Sequence, residues 1–427
     1  VWTRLFSAEF FYTYAFLMLS LAVMGMGLGA LGARMIPGFD RPGLVGVWLS
    51  LAGVFAILGP PMVFRLGIDF TQLYGNWLML GKFILTLLLL GLPFYFSGIA
   101  LASIFKRHHE EMPRLYSADL IGAGAGVFIA IILMNRLGTP TAAFWLPIPL
   151  LLAALVAARW WFKIFPLALI VAVFLINGHA DTLLEAKREE RAPVAYKHWD
   201  AMSKVKMYVY GGGQYRGINV DNVANSPVIP FDGDWDAFEE ELGPDGWNID
   251  VGYLIDQFDD CTFLSLGSGG GSDVMQALMY GAAEIHAVEV NPHINKMMLE
   301  GDPKGYIVRD SLVVDSTGAL VTCAEFSGHI FKDPKVKVIS EDARTYVRRH
   351  KNKFDVIYSL SSNTWAALGS GSFSLAENYI FTTEAFKDYW EALSDDGFLS
   401  MEHQVYMPRL VGEVIDALND MGIENPT

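Results

Sequence analysis

Six long apolar runs fill the first 180 residues, and beyond them short apolar runs alternate with stretches of helical period. The runs are Leu5–Leu31, Leu44–Phe64, Trp77–Phe105, Leu115–Met134, Ala142–Ala158 and Trp161–Asn177, each near the roughly 20 residues that carry a helix across a bilayer. Breaks between them are short and hold Pro, Gly and charge, and Trp48, Trp77, Trp145, Trp160 and Trp161 fall near run ends, where an interfacial belt puts them. The pattern predicts a multi-pass α-helical membrane bundle of about six helices over residues 1–180. Gly25 with Gly29 and Gly122 with Gly126 repeat small residues at a four-residue spacing, which lets helices in lipid approach closely. Glu9 and Asp119 are the acids nearest the runs. With no further array of ionisable groups in the runs, an ion or proton path has no support. Lys and Arg divide evenly between alternate loops, so charge leaves the orientation open.

Residues 181–256 read as a linker and a small β unit. A charged segment to Pro193 is followed by β-formers at Lys204–Tyr210 and Tyr215–Val220 around Gly211-Gly212-Gly213, the pattern of a hairpin. Over residues 257–427 strands alternate with helices. The strands are Cys261–Leu266, His286–Glu289, Val336–Ser340, Phe354–Leu360 and Gly397–Met401, with helices at Ala343–Arg349 and Thr383–Leu393 among them. That alternation predicts an α/β doubly wound, Rossmann-like parallel sheet, which binds its ligands at the carboxyl ends of the strands.

Composition sharpens the division. A 52% hydrophobic share and a mean hydropathy of +0.32 over 427 residues place part of the chain in lipid. The first 180 residues hold 11 Lys and Arg against 6 Asp and Glu, the remainder 20 against 40. So acidic a second half excludes nucleic acid as a partner, because phosphate binding needs clustered bases. Cys261 and Cys323 stand without a CxxC or a His cluster, which leaves no metal site and no disulfide framework to argue for.

The candidate chemistry starts at Leu266-Gly267-Ser-Gly269-Gly270-Gly271-Ser-Asp273, where an apolar strand ends in glycines and passes into a helical pattern. About 20 residues on, Glu289 closes the next strand. Strand, glycines, helix, strand and a terminal acid make a nucleoside site: Gly267, Gly269 and Gly271 let backbone approach the ligand, and the carboxylate accepts hydrogen bonds from ribose hydroxyls. Asp273 either joins that site or caps the helix start. Asp342 and Ser361–Asn363 fall at the same sheet edge. Asp221, Asn222, Trp365 and Asn378 complete a polar rim as acceptor-binding candidates, and Glu377 with Tyr379 are the candidates for acid–base work beside Asn363.

These residues resemble the spermidine synthase-like proteins with an attached membrane domain, relatives of the soluble aminopropyltransferases and, more distantly, of class I methyltransferases. The resemblance runs through Arg4-Leu-Phe-Ser7, Tyr116–Ala123, Leu266–Val274, Ala287-Val-Glu-Val-Asn-Pro292, Glu341-Asp-Ala-Arg344 and Asn363-Thr-Trp365 to Leu375–Thr382. It implies S-adenosylmethionine or its decarboxylated form as ligand, with Glu289 on the ribose and Asp342 near the adenine. It also implies a further helix before Arg4 and two more strands after Gly422, so both ends are expected to be cut. In two places the sequence departs from the family. Where aminopropyltransferases carry Asp-Ser-Ser-Asp after the fourth strand, this chain has Leu360-Ser361-Ser362-Asn363, and Gly270 stands where soluble members place an Asp.

The expected protein is therefore a membrane-anchored S-adenosyl-dependent transferase of that family, and not an ordinary spermidine synthase. Its acceptor is a small molecule or is delivered by the membrane. Methyl transfer or lyase and cyclisation chemistry is the first rival, and a non-catalytic nucleoside-binding sensor or transporter the second. The expected setting is a bacterial-type inner membrane with the enzyme domain cytoplasmic, and a homo-oligomer stays open.

Overall fold

The computed structural model describes residues 1–10, 13–68, 72–73, 75–186, 190–242, 249–308, 311–360, 380–402 and 407–423. They form two compact units. One lies within residues 1–189 and takes in Trp199–Met202, and the other comprises Glu190–His198 and the chain from Ser203 onward.

In the first unit six stretches are long and apolar enough to cross a membrane: Phe16–Met35, Pro42–Arg65, Trp77–Arg107, His109–Leu137, Thr139–Ala157 and Trp160–Leu183. The first expected run is split, with a separate helix Trp2–Glu9 ahead of Thr13–Met35. Glu9 ends that short helix almost fully buried, and its Oε2 accepts the Ala186 N–H at 3.0 Å. Glycines bring the helices together. A Cβ on Gly29 would lie 2.1 Å from the Tyr95 carbonyl oxygen, and one on Gly98 2.4 Å from that of Met26, so Thr13–Met35 and Trp77–Arg107 meet backbone to backbone. Gly25 serves the same crossing, 2.8 Å from Phe94 Cβ, and Gly53 gives Leu151 its place between Val45–Arg65 and Pro147–Ala157. The second expected pair differs. A Cβ on Gly122 or Gly126 would meet nothing within 4 Å among the described residues, and along Met112–Leu137 nearly every side chain is exposed, Asp119 included.

The second unit holds two sheets. The smaller comprises β1 (Val194–Trp199), β2 (Lys204–Tyr210), β3 (Tyr215–Val220) and β4 (Ala224–Val228), in the order β1-β2-β3-β4. β2 and β3 form the expected antiparallel hairpin, in which Tyr210 faces Tyr215 across the Gly211–Gly213 turn. The larger sheet has β5 (Thr262–Leu266), β6 (Glu284–Val288), β7 (Val336–Ile339), β8 (Phe354–Leu360) and β9 (Leu393–Glu402), in the order β7-β6-β5-β8-β9. All four of its pairings are parallel. The order reverses at β5, so β6 and β8 leave it on opposite sides and a crevice opens at their carboxyl ends.

Alternation along the strands builds two cores. Phe263, Ile285, Ala287, Val356 and Tyr358 point to the face shared with Val274, Met275 and the small sheet's Met207 and Ile218. Leu264, Leu266, Val288 and Ile357 point to the other face, under Val347, Phe386 and Tyr389. Both faces are covered, as the apolar strands require of a parallel sheet.

Candidate active site

The Gly-rich turn leaves β5 at the sheet's carboxyl edge. Gly267 and Ser268 donate their N–H groups to the Val288 carbonyl at 2.8 and 3.0 Å, which ties the turn to the end of β6. Gly267 and Gly271 have φ of +84° and +83°, a backbone region that favours glycine, and Gly271 opens the helix Ser272–Met279. The close approaches here are made by protein. A Cβ on Gly270 would lie 2.2 Å from the Pro227 carbonyl oxygen, one on Gly269 2.4 Å from Ser226 Oγ, and one on Gly271 2.4 Å from the Phe331 ring. Ser226 also accepts the Gly270 N–H at 2.7 Å. The expectation that these glycines make room for a ligand thus meets a second cause: β4 crosses the turn.

Glu289 follows β6 directly and faces the turn. Its Oε2 accepts the Gly269 N–H at 3.3 Å and its Oε1 the Asn291 N–H at 2.8 Å. Each carboxylate oxygen has a second lone pair for another donor, so the pair of ribose hydroxyls that an S-adenosyl compound presents fits this group. Burial raises the Glu289 carboxyl above the usual range, and the charge of nearby Asp273 adds to the shift. Asp273 accepts a short hydrogen bond from the Ser265 hydroxyl and takes the Val274 N–H at 3.1 Å. Burial pushes its carboxyl up to about 6.

Asp342 lies three residues beyond β7 and caps the helix Ala343–Val347, where its Oδ1 accepts the Thr345 N–H at 2.8 Å. Asp221 and Asn222, with φ of +54° and +62°, are the first two of the three residues that join β3 to β4, and the third, Val223, donates its N–H to the Val220 carbonyl at 3.1 Å. The Asp221 carboxylate also accepts the Lys204 N–H at 2.8 Å. Ser361, Asn363, Trp365, Glu377, Asn378 and Tyr379 lie outside the described residues. Both cysteines are buried and free, and burial pushes Cys261 up to about 12 and Cys323 to about 11, so neither is a thiolate at neutral pH.

The sequence reading missed two side chains. Asn291 accepts the His293 N–H at 3.0 Å and donates to Ser203 Oγ at 2.6 Å while its own N–H holds Glu289. Its signal was present, an Asn directly before the Pro that starts a helix. Ser226 had none, because only the fold brings it to Gly270.

No family model matches the chain. It is 22% identical to polyamine aminopropyltransferase 2 of Aquifex aeolicus over 443 residues, covering 95% of this chain and 81% of that protein. This chain is similar to polyamine aminopropyltransferases. The polyamine aminopropyltransferase of Thermotoga petrophila is 28% identical over 127 residues, 26% of this chain and 40% of the relative, so the chain spans less than half of that protein's length. Among solved structures, spermidine synthase from Thermotoga maritima aligns with 54% of this chain and 63% of its own, at 16% identity and a TM-score of 0.33. The similarity to the Aquifex aminopropyltransferase takes in the apolar helices as well as the doubly wound sheet, since it covers nearly the whole chain.

Proposed function

We propose that this chain is a membrane-anchored transferase that takes S-adenosylmethionine or its decarboxylated form and passes part of its carbon chain to a small or membrane-delivered acceptor. The observation that carries the reading is Glu289, an acid held by the amides of Gly269 and Asn291 at the carboxyl end of β6 and facing the Gly-rich turn. The similarity to polyamine aminopropyltransferases supports the type of transfer. In such a transfer the acceptor amine attacks the carbon beside the sulfonium. A C–N bond forms, the C–S bond breaks with its electron pair left on sulfur, and methylthioadenosine and a proton are released.

That proton needs a base, and a positioned base contributes about 10²–10⁴ in rate. Leu360 ends β8 partly exposed at the sheet edge, where the resemblance implies an acid, and residue 363 is Asn. On that ground the reading is not ordinary spermidine synthesis, and Glu377 with Tyr379 are the residues proposed to handle the proton. The six apolar helices support the anchor, and the acidic enzyme unit is assigned to the cytoplasmic side, where S-adenosyl compounds are made.

Incubating the purified chain with each S-adenosyl compound and a cell extract, and identifying the nucleoside released by mass, tests the reading. Methylthioadenosine is expected, while S-adenosylhomocysteine would establish methyl transfer instead. Bound ligand with no product would leave a sensor. Turnover of putrescine to spermidine at about 1–10³ per second would refute the argument from the missing acids. The protein is expected to stay with membranes through a carbonate wash, and release into the supernatant would contradict the anchor.

A further inference from the structure

The chain passes from the apolar unit to the unit with the two sheets between Met202 and Ser203, and hydrogen bonds fix both sides of that step. Before it, the turn Trp199–Met202 is held by the ends of two apolar helices. Thr139, fully buried at the start of the span Thr139–Ala157, donates its hydroxyl to the Asp200 carbonyl at 2.6 Å. Asn135, near the end of the span His109–Leu137, accepts the Ala201 N–H at 2.9 Å. The turn also closes on itself, because the Asp200 carboxylate accepts the Met202 N–H at 2.7 Å, and Trp199 is buried in the same apolar core as Phe144.

After the step, Ser203 is buried and its hydroxyl oxygen accepts from Asn291 Nδ2 at 2.6 Å, while the next N–H, that of Lys204, is held by the Asp221 carboxylate at 2.8 Å. Asn291 is the residue whose own N–H holds Glu289 Oε1. That N–H aims at the carboxylate only while the peptide between Val290 and Asn291 keeps its orientation, and Val290, 52% exposed, packs too little to keep it. The Asn291 side chain supplies the constraint. Its Oδ1 accepts the His293 N–H, its Nδ2 donates to Ser203, and its burial keeps water from replacing either partner. His293 belongs to the helix that Asn291 itself starts, so Ser203 anchors Asn291 from outside that segment. We propose that Ser203 is a positioning residue for S-adenosyl binding: its hydroxyl fixes Asn291, and through it the Glu289 carboxylate, in a place set by the apolar helices that hold the preceding turn. This rests on the S-adenosyl reading of Glu289 above and makes the apolar unit a part of that site's support rather than an anchor alone.

Calorimetry on the full chain in detergent, with S-adenosylmethionine and its decarboxylated form, tests it. Ser203→Ala is expected to weaken whichever compound binds by about 3- to 10-fold, the size of one hydrogen bond. Thr139→Val keeps the side chain's shape, removes one hydroxyl on the other side of the step, and is expected to weaken binding about 2- to 5-fold. With Glu289→Gln already in place, either substitution is expected to cost less than about twofold, because the carboxylate it positions is gone. A role in folding alone would lower the melting temperature and leave the affinity of the folded protein unchanged. Thermal melts establish which variants are folded, and Thr139→Val carries the test if Ser203→Ala is not. Unchanged affinity in either folded variant overturns the proposal, as does an equal loss with and without Glu289→Gln. If folded wild-type protein binds neither compound, the S-adenosyl reading itself falls, and the proposal with it.

Discussion

Asp273 is an acid that the helix start alone does not explain. Its carboxylate accepts from Ser265, a residue inside β5, rather than from a free amide two or three residues into the helix. Burial lifts its carboxyl from the ordinary 3.8 to about 6, so the folded chain holds this proton after the unfolded chain has lost it. The group's stabilising contribution is whole below about pH 4, falls as the pH rises from 4 to 6, and is absent above. Asp273→Asn is therefore expected to unfold at a higher temperature than the wild type at pH 8, with a gain of about 1–3 kcal/mol that vanishes near pH 4. Thermal unfolding followed across that range checks it, and a gain independent of pH would contradict the burial argument. At this scale the sequence was legible in part. Glu289 stood out because a strand and a helix around a glycine run fix where the next strand's terminal acid must fall. Asp273 offered two readings, a site residue or a cap of the helix start, and no local pattern announces its contact with Ser265, just as none connects Ser226 with Gly270 across 44 residues.

Elements carry a different lesson about the same small residue. Gly29 and Gly98 stand at a crossing where a Cβ would strike a carbonyl oxygen, while Gly122 and Gly126 share the four-residue spacing of Gly25 and Gly29 on a helix with open space around them. Spacing shows which helices are able to approach; packing shows which do. Gly98→Leu is expected to destabilise the bundle by several kcal/mol, since backbone has to give way on both helices. Gly122→Leu is expected to leave monomer stability within about 0.5 kcal/mol. Detergent melts of the two variants separate the cases, and equal loss in both would show that Met112–Leu137 is packed like its neighbours. The strands were legible because an apolar run of four to seven residues bounded by Gly or charge has few other uses: β5, β7 and β8 keep their expected bounds within a residue, whereas β6 starts two residues earlier, at Glu284, and β9 runs from Leu393, a residue of the expected helix Thr383–Leu393, to Glu402. Legibility failed at the first apolar run. The apolar run from Leu5 to Leu31 hides a boundary that Glu9 and Tyr12-Thr13-Tyr14 mark in the sequence, and the helix Trp2–Glu9 ends there with the buried Glu9 carboxylate accepting the Ala186 N–H.

Over the whole molecule, the two halves differ in charge as in architecture. The apolar unit has a small basic excess, while the unit with the doubly wound sheet carries the acid that gives the chain its net −15. An acidic unit repels nucleic acid and attracts cations, and the proposed ligand bears a sulfonium and an amine. One group matters above the others for ligand binding, the Glu289 carboxylate, since the Gly-rich turn has a packing use of its own under β4. Calorimetric titration of the full chain with S-adenosylmethionine, compared between the wild type and Glu289→Gln, tests that dependence most directly. Gln keeps an acceptor for one of the two amides while removing the charge and one acceptor oxygen. With both proteins shown to be folded, an affinity loss of about 5- to 100-fold is expected, equivalent to about 1–3 kcal/mol. Binding that is unchanged in Glu289→Gln would contradict it.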